Sequence, residues 1–139
     1  MRHRLKDQKL GRSMAHRKAL MSSLVGALLE QRRIITTVQK AKSARSLAEG
    51  LVTVAKKGTL AARRQAISVL HRSSLVRILF DQVVPACGDR VGGYTRIVKL
   101  QRRRSDGADM AILEWISLPR PEKKPRQKPK AEEKEEKNG

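Results

Sequence analysis

Residues 34–57 constrain the fold more than any other stretch of the chain, because a strand and a helix meet there with sharply different faces. Ile34, Ile35, Thr36 and Thr37 are β-branched in succession and too few to make a helix of their own, so they read as a strand. From Ala41 onward, Ala44, Leu47, Ala48, Leu51, Val52, Val54 and Ala55 share one broad helical stripe, while Lys42, Arg45, Ser46, Glu49, Thr53 and Lys56 lie opposite. Thr37 stands where its hydroxyl can accept from the first free N–H groups of that helix as N-cap. The small residues Ala41, Ala44, Ala48 and Ala55 permit close packing, which places this helix at the centre of the predicted fold.

The rest of the chain arranges itself around that unit. Ser13 is a plausible cap for a helix ending near residue 33, with Leu20, Met21, Leu24, Val25, Leu28 and Leu29 as its apolar face. Gly58 and Thr59 read as a stop followed by a start. The third helix, about residues 60–71, would contact the core through Leu60, Ile67 and Leu70, from the outside of the bundle. Ser73 or Ser74 would cap a fourth helix with Leu75, Val76, Leu79, Phe80 and Val83 inward, and Pro85 would end it. Two β-rich runs, residues 94–101 and 110–117, flank a charged turn containing Asp106-Gly107 and read as a hairpin with a wide loop. The prediction is a two-layer α+β fold in the order α-β-α-α-α-β-β, helices packed on a small three-stranded sheet. Residues 1–118 would form the globular domain, with a basic N-terminal arm over residues 1–12. Residues 119–139, rich in Pro, Lys and Glu, are expected to be disordered.

Charge decides the class of partner. The chain has 32 Lys and Arg against 13 Asp and Glu, a formal charge of +19. Of this, +16 belongs to residues 1–118, so the folded part itself calls for a polyanion. Phe80, Tyr94 and Trp115 are the only aromatic residues, which predicts an aliphatic core and little stacking of single-stranded bases. No apolar run approaches the ~20 residues of a membrane span, and the N-terminus opens with charge instead of a signal-peptide core. A membrane partner is therefore not expected. Cys87 is the single cysteine, which precludes an internal disulfide and fits a reducing, cytoplasmic setting.

Catalytic chemistry finds no support. His3, His16 and His71 lie in unrelated segments, and Cys87 has no neighbouring His or Cys at ligand spacing. Gly88, Gly92 and Gly93 lack the order of a phosphate-binding loop. No cofactor, metal or small-molecule substrate is expected, and the chain should not be an enzyme. The basic residues are instead spread over several surfaces: Arg2, His3, Arg4, Lys6, Lys9 and Arg12 in the arm; His16, Arg17 and Lys18 at the first helix; Lys42 and Arg45 on the central helix; Arg63 and Arg64 on the third helix; Arg102, Arg103 and Arg104 in the hairpin loop. Dispersion suits a folded RNA, recognised through backbone and shape, better than a straight duplex. The alternative is an architectural DNA-binding protein, whose cations should gather on one groove-reading helix.

Five strings carry a resemblance: Met1-Arg2-His3-Arg4; His16-Arg17 with Ala19; Ile34-x-Thr36-Thr37 followed by Lys40-Ala41-Lys42; Gly92-Gly93-Tyr94-Thr95-Arg96-Ile97; and Met110-Ala111 leading to Glu114. In collinear order from residue 1 to about 116, the chain resembles the bacterial large-subunit ribosomal protein seventeen family. The resemblance implies an α+β fold without catalysis, bound in the large ribosomal subunit to large-subunit ribosomal RNA beside neighbouring ribosomal proteins. It adds Thr36, Thr37, Lys40, Arg90, Gly92, Gly93, Tyr94, Thr95 and Arg96 to the candidate RNA-binding residues. The chain departs from the family pattern at Ser105-Asp106-Gly107-Ala108-Asp109, where a Gly-Asp-x-Ala-Pro-like run is usual, and in its long tail.

Overall fold

The computed structural model describes residues 8–118. Arg2, His3, Arg4, Lys6 and the expected disordered tail lie outside the described residues. Helix α1, Met14–Gln31, begins at Ser13, whose Oγ accepts the His16 N–H at 3.4 Å. It ends at Arg32, which adopts a left-handed conformation (φ 60°) and turns the chain directly into strand β1, Arg33–Thr37. Helix α2, Val38–Ala55, follows without a loop. Its buried residues are Ala41, Ala44, Ala48, Leu51, Val52 and Ala55, the stripe anticipated from spacing, with Leu47 and Val54 half-buried beside it.

Four expectations need correction. Thr37 occupies the N-cap position but makes no side-chain cap bond. It is still paired with Met110 across the sheet, so its backbone is committed to the strand, and the Val38 N–H donates to the Asp109 carbonyl at 2.9 Å instead. Helix α3, Leu60–Leu70, buries Ala62, Ala66 and Leu70, whereas Leu60 is 63% and Ile67 45% exposed. The inward face follows the small residues, which allow the closest approach of neighbouring helices. Thr59 does cap α3, accepting the Ala62 N–H at 3.1 Å. The fourth helix, α4, starts after Arg72 without a side-chain cap, so neither Ser73 nor Ser74 serves.

Pro85 does not end α4. The helix runs Ser73–Ile78, widens into a π-helical turn at Leu79–Val83, and continues as Val84–Cys87. A proline removes one N–H and presses its ring against the carbonyl four residues back. Here the Val84 N–H already reaches the Leu79 carbonyl, one residue further than an α-helix would, so the ladder is displaced just before the ring.

Strands β2, Thr95–Lys99, and β3, Met110–Trp115, complete an antiparallel sheet in the order β1-β3-β2. The last strand in sequence is thus the central one. Alternation divides it: Ala111, Leu113 and Trp115 are buried with Val25, Leu28 and Leu29 of α1 and the small face of α2. Opposite, Ile112 pairs with Ile35 on one side and Val98 on the other, and Glu114 with Arg33 and Arg96. The Trp115 indole N–H donates to the Leu28 carbonyl at 3.1 Å, satisfying an orphan acceptor in the last turn of α1.

Two helical glycines contrast. A Cβ on Gly26 would lie 2.9 Å from Leu75 Cδ1, so α1 and α4 approach closely there. Gly50 in α2 is exposed, and a Cβ there would meet nothing within 4 Å. A glycine inside a helix costs about 1 kcal/mol relative to alanine, and no contact within the described protein requires one at this position.

Candidate nucleic-acid interface

Two sets of cations stand out, apart from those that donate to backbone carbonyls or an amide or stack on a ring. In the first, carboxylates neutralise them: Glu114 takes Arg96 at 2.5 Å and Arg33 at 3.5 Å, Glu49 takes Arg45 at 3.3 Å, and Glu30 takes Arg72 at 3.4 Å. In the β2–β3 loop Arg102 pairs with Asp109 at 3.0 Å and Arg103 with Asp106 at 2.6 Å. Asp106 is held down to about 2, first by its hydrogen bond from Arg103 and then by the Ala108 N–H. These pairs stand on the outer face of the sheet, along α2, between α1 and the start of α4, and in the β2–β3 loop. The second set has no side-chain partner among the described residues; it includes Arg17, Lys18, Lys40, Lys42 and Arg104, and also Lys57, Arg64, Arg77 and Lys99.

Three of the unpaired cations come together. The start of α1, the outer face of α2 and one side of α3 enclose a groove with Arg17 and Lys18 on one wall and Lys42 on the other. Ser43, Ser46, Gln65 and Ser68 supply hydroxyl and amide groups along it, and Met21, Leu47, Leu51, Val54 and Val69 form an apolar floor. Among the described residues no Asp or Glu lines it. Arg17 and Lys18 also sit in the first turns of an 18-residue helix, where the aligned peptide dipoles are already positive. Like charges gathered there are relieved by an anion, and backbone N–H groups at a helix start favour phosphate.

The other candidates are placed as follows. Lys9 and Arg12 precede α1, and the Arg12 guanidinium donates to the Leu10 carbonyl at 2.8 Å while its Nε is buried with no partner among the described residues. His16 is exposed in the first turn of α1, and Arg45 is exposed one turn beyond Lys42. Lys40 lies in the first turn of α2, to which the β2–β3 loop with Arg102, Arg103 and Arg104 is joined through the Val38 to Asp109 hydrogen bond. Arg90, Gly92 and Gly93 belong to the loop before β2, where Arg90 donates to the Gly93 carbonyl at 3.2 Å. Thr36, Tyr94 and Thr95 are core residues: Tyr94 and Thr95 are 2% exposed, and the Tyr94 ring packs under the Lys56 ammonium at 4.9 Å. Their side chains support the scaffold. Spacing put Ser46 on the polar face with Lys42 but gave no sign of the groove's Gln65 and Ser68, which the crossing of α2 with α3 brings into line with the cations.

Among the described residues no group of three His, Cys, Asp or Glu side chains could hold a metal ion, and no helix is long and apolar enough to cross a membrane. Burial pushes the Cys87 thiol up, against the opposing charges of Lys56 and Arg90, which leaves it less of a nucleophile. The model of the family described as Ribosomal protein L17 matches residues 20–116, which takes in most of α1, the central helix, α3, α4 and all three strands. The chain belongs to the ribosomal protein L17 family.

Its L17 relatives are similar over most of both chains. The large ribosomal subunit protein bL17 of Methylacidiphilum infernorum is 49% identical over 115 residues, covering 83% of this chain and 88% of the relative. The bL17 of Desulforamulus reducens is 49% identical over 109 residues (78% and 97%), and that of Carboxydothermus hydrogenoformans 50% over 108 residues (78% and 96%). The L17 family is a family of structural ribosomal proteins and not of enzymes, in keeping with the sequence strings that carried the resemblance. The basic arm and the tail lie outside the matched L17 segment.

Proposed function

We propose that this L17-family chain is a structural constituent of the cytoplasmic large ribosomal subunit, where it binds and stabilises folded large-subunit ribosomal RNA beside neighbouring ribosomal proteins. Residues 1–118 are the RNA-binding part, with residues 1–12 as a basic arm and residues 119–139 as an appended tail. The observation that carries this reading is the groove in which Arg17, Lys18 and Lys42 converge with neither a lining carboxylate nor a side-chain partner among the described residues. Lys40, Arg104 and the arm extend the same positive potential along the molecule, and the paired arginines of the sheet contribute to scaffold and field together. Cations spread over several elements fit phosphates of a folded RNA, which arrive from several directions.

Changing Arg17, Lys18 and Lys42 together to Ala tests it. Each lost phosphate contact should flatten the log-log salt dependence of affinity by roughly 0.7–0.9 units, so the triple variant should lose about two to three. Circular dichroism should be unchanged, since the side chains have no partners among the described residues. Equal affinity of the parent for duplex DNA and large-subunit ribosomal RNA, with tagged protein sedimenting away from large subunits, would favour the architectural DNA reading instead.

A further inference from the structure

We propose that the groove between α1, α2 and α3 seats an unpaired nucleotide of the RNA against the bare backbone at Gly50, an inference that rests on the ribosomal-RNA reading above. Two independent observations lead there. Gly50 has an ordinary helical conformation, and among the described residues no side chain or neighbouring element lies within 4 Å of a Cβ built on it, so its missing side chain serves no packing or turn geometry there. Gly50 also lines the groove, between Ser46 one turn before it and Val54 one turn after. A side chain there would project into the space that its absence leaves open, and a missing Cβ is what lets a ligand approach a helix backbone closely.

The chemistry of the walls identifies the occupant. Arg17, Lys18 and Lys42 select an anion, and Ser46 and Ser68 can meet ribose or base edges. The apolar floor of Met21, Leu47, Leu51 and Val69 has no counterpart in a paired A-form helix, which shows phosphates and 2′-hydroxyls outward and keeps its base faces stacked. An unpaired nucleotide presents both a phosphate and a flat apolar face, and methionine adapts its shape to such a face. The chain's own residues 1–7, with Arg2, Arg4 and Lys6 against Asp7, carry the same sign as the groove walls and suit it poorly.

Gly50→Ala and Gly50→Leu test the seat, with Ala61→Leu, on an exposed position of α3 outside the groove lining, as control. Both Gly50 variants should melt at or above the parent's temperature, because they replace a poor helix former in open space. Pushing the base off the aliphatic floor forfeits apolar burial equivalent to roughly one or two methylene groups, so Gly50→Leu should bind large-subunit ribosomal RNA about tenfold more weakly, with an unchanged salt slope because no phosphate contact is lost. Gly50→Ala should fall between, Ala61→Leu should match the parent, and all four proteins should bind a fully paired RNA alike. Parent-like affinity of Gly50→Leu, beside a weakened Arg17, Lys18 and Lys42 triple variant, would overturn the seat and leave the ribosomal reading standing. A lowered melting temperature in both Gly50 variants would also overturn it, by showing that the chain itself fills the groove. A parent that prefers DNA removes both readings.

Discussion

Glu49 of α2 anchors the first residue of β2: its Oε1 accepts the Thr95 Oγ1–H at 2.8 Å and the Thr95 N–H at 3.4 Å. The same oxygen takes Arg45 Nε at 3.3 Å, so one carboxylate ties the central helix to an edge strand and neutralises a cation. Glu49→Ala leaves two donors of a nearly inaccessible residue unpaired and should cost about 1–3 kcal/mol, whereas Glu49→Gln, which keeps an acceptor oxygen, should cost less. Urea unfolding followed by circular dichroism checks the order. Equal losses in the two variants would mean that the charge, and not the acceptor, holds β2.

Trp115 makes a similar tie to the last turn of α1. Trp115→Phe removes the indole donor from the Leu28 carbonyl and leaves a gap in the core, so it should destabilise by about 2–4 kcal/mol. Because the variant has lost its only tryptophan, denaturation is read by circular dichroism. A loss below that of Ile112→Val would show that the hydrogen bond is dispensable.

The β2–β3 loop should respond to acid. Asp106 is lowered from an ordinary 3.8 to about 2 by Arg103, so ionised Asp106 favours the folded loop. That contribution is present above pH 4 and is lost as pH falls from about 4 to about 2, where the carboxyl protonates in the folded state too. The group is fully exposed, so the effect is local. Carboxyl-carbon NMR should place the Asp106 midpoint near 2 in the parent and return it toward 3.8 in Arg103→Gln.

Truncation after Leu118 should leave the melting temperature unchanged, because residues 119–139 have little apolar surface to offset the ~1–2 kcal/mol per residue that ordering a backbone costs. Leu118 itself packs against the core, so truncation after Ile116 should lower it. A large drop on the first truncation would place the tail in the fold.

Much of this architecture is written in local pattern. The β-branched run at Ile34, the alanine-rich stripe of α2 and the caps at Ser13 and Thr59 act over a few residues, and each appears where spacing put it. What spacing could not supply depends on distant neighbours. Pro85 stays inside α4 because of a π-turn whose need arises only in three dimensions, and α3 turns its alanines inward because its partners come close. Glu49 reads as a solvent-facing charge until Thr95 is laid beside it. At the candidate interface the type of side chain was legible from charge alone. Which cations remain available was not, since Arg45, Arg96, Arg102 and Arg103 are claimed by carboxylates far away in sequence or across a turn. Tyr94 and Thr95 belong to a family string whose role in this fold is internal.

The sheet order β1-β3-β2 also sets a timetable for synthesis. Strand β1 emerges early and has no partner until β3, the last element made, arrives to lie between it and β2. The helices can form and collapse on one another beforehand, but the ladder from Thr37 to Met110 closes a long loop, and such distant pairings form slowly. Throughout that interval Ile35 and its neighbours present an open strand edge on a chain of +19, whose self-repulsion opposes aggregation until the final strand is inserted.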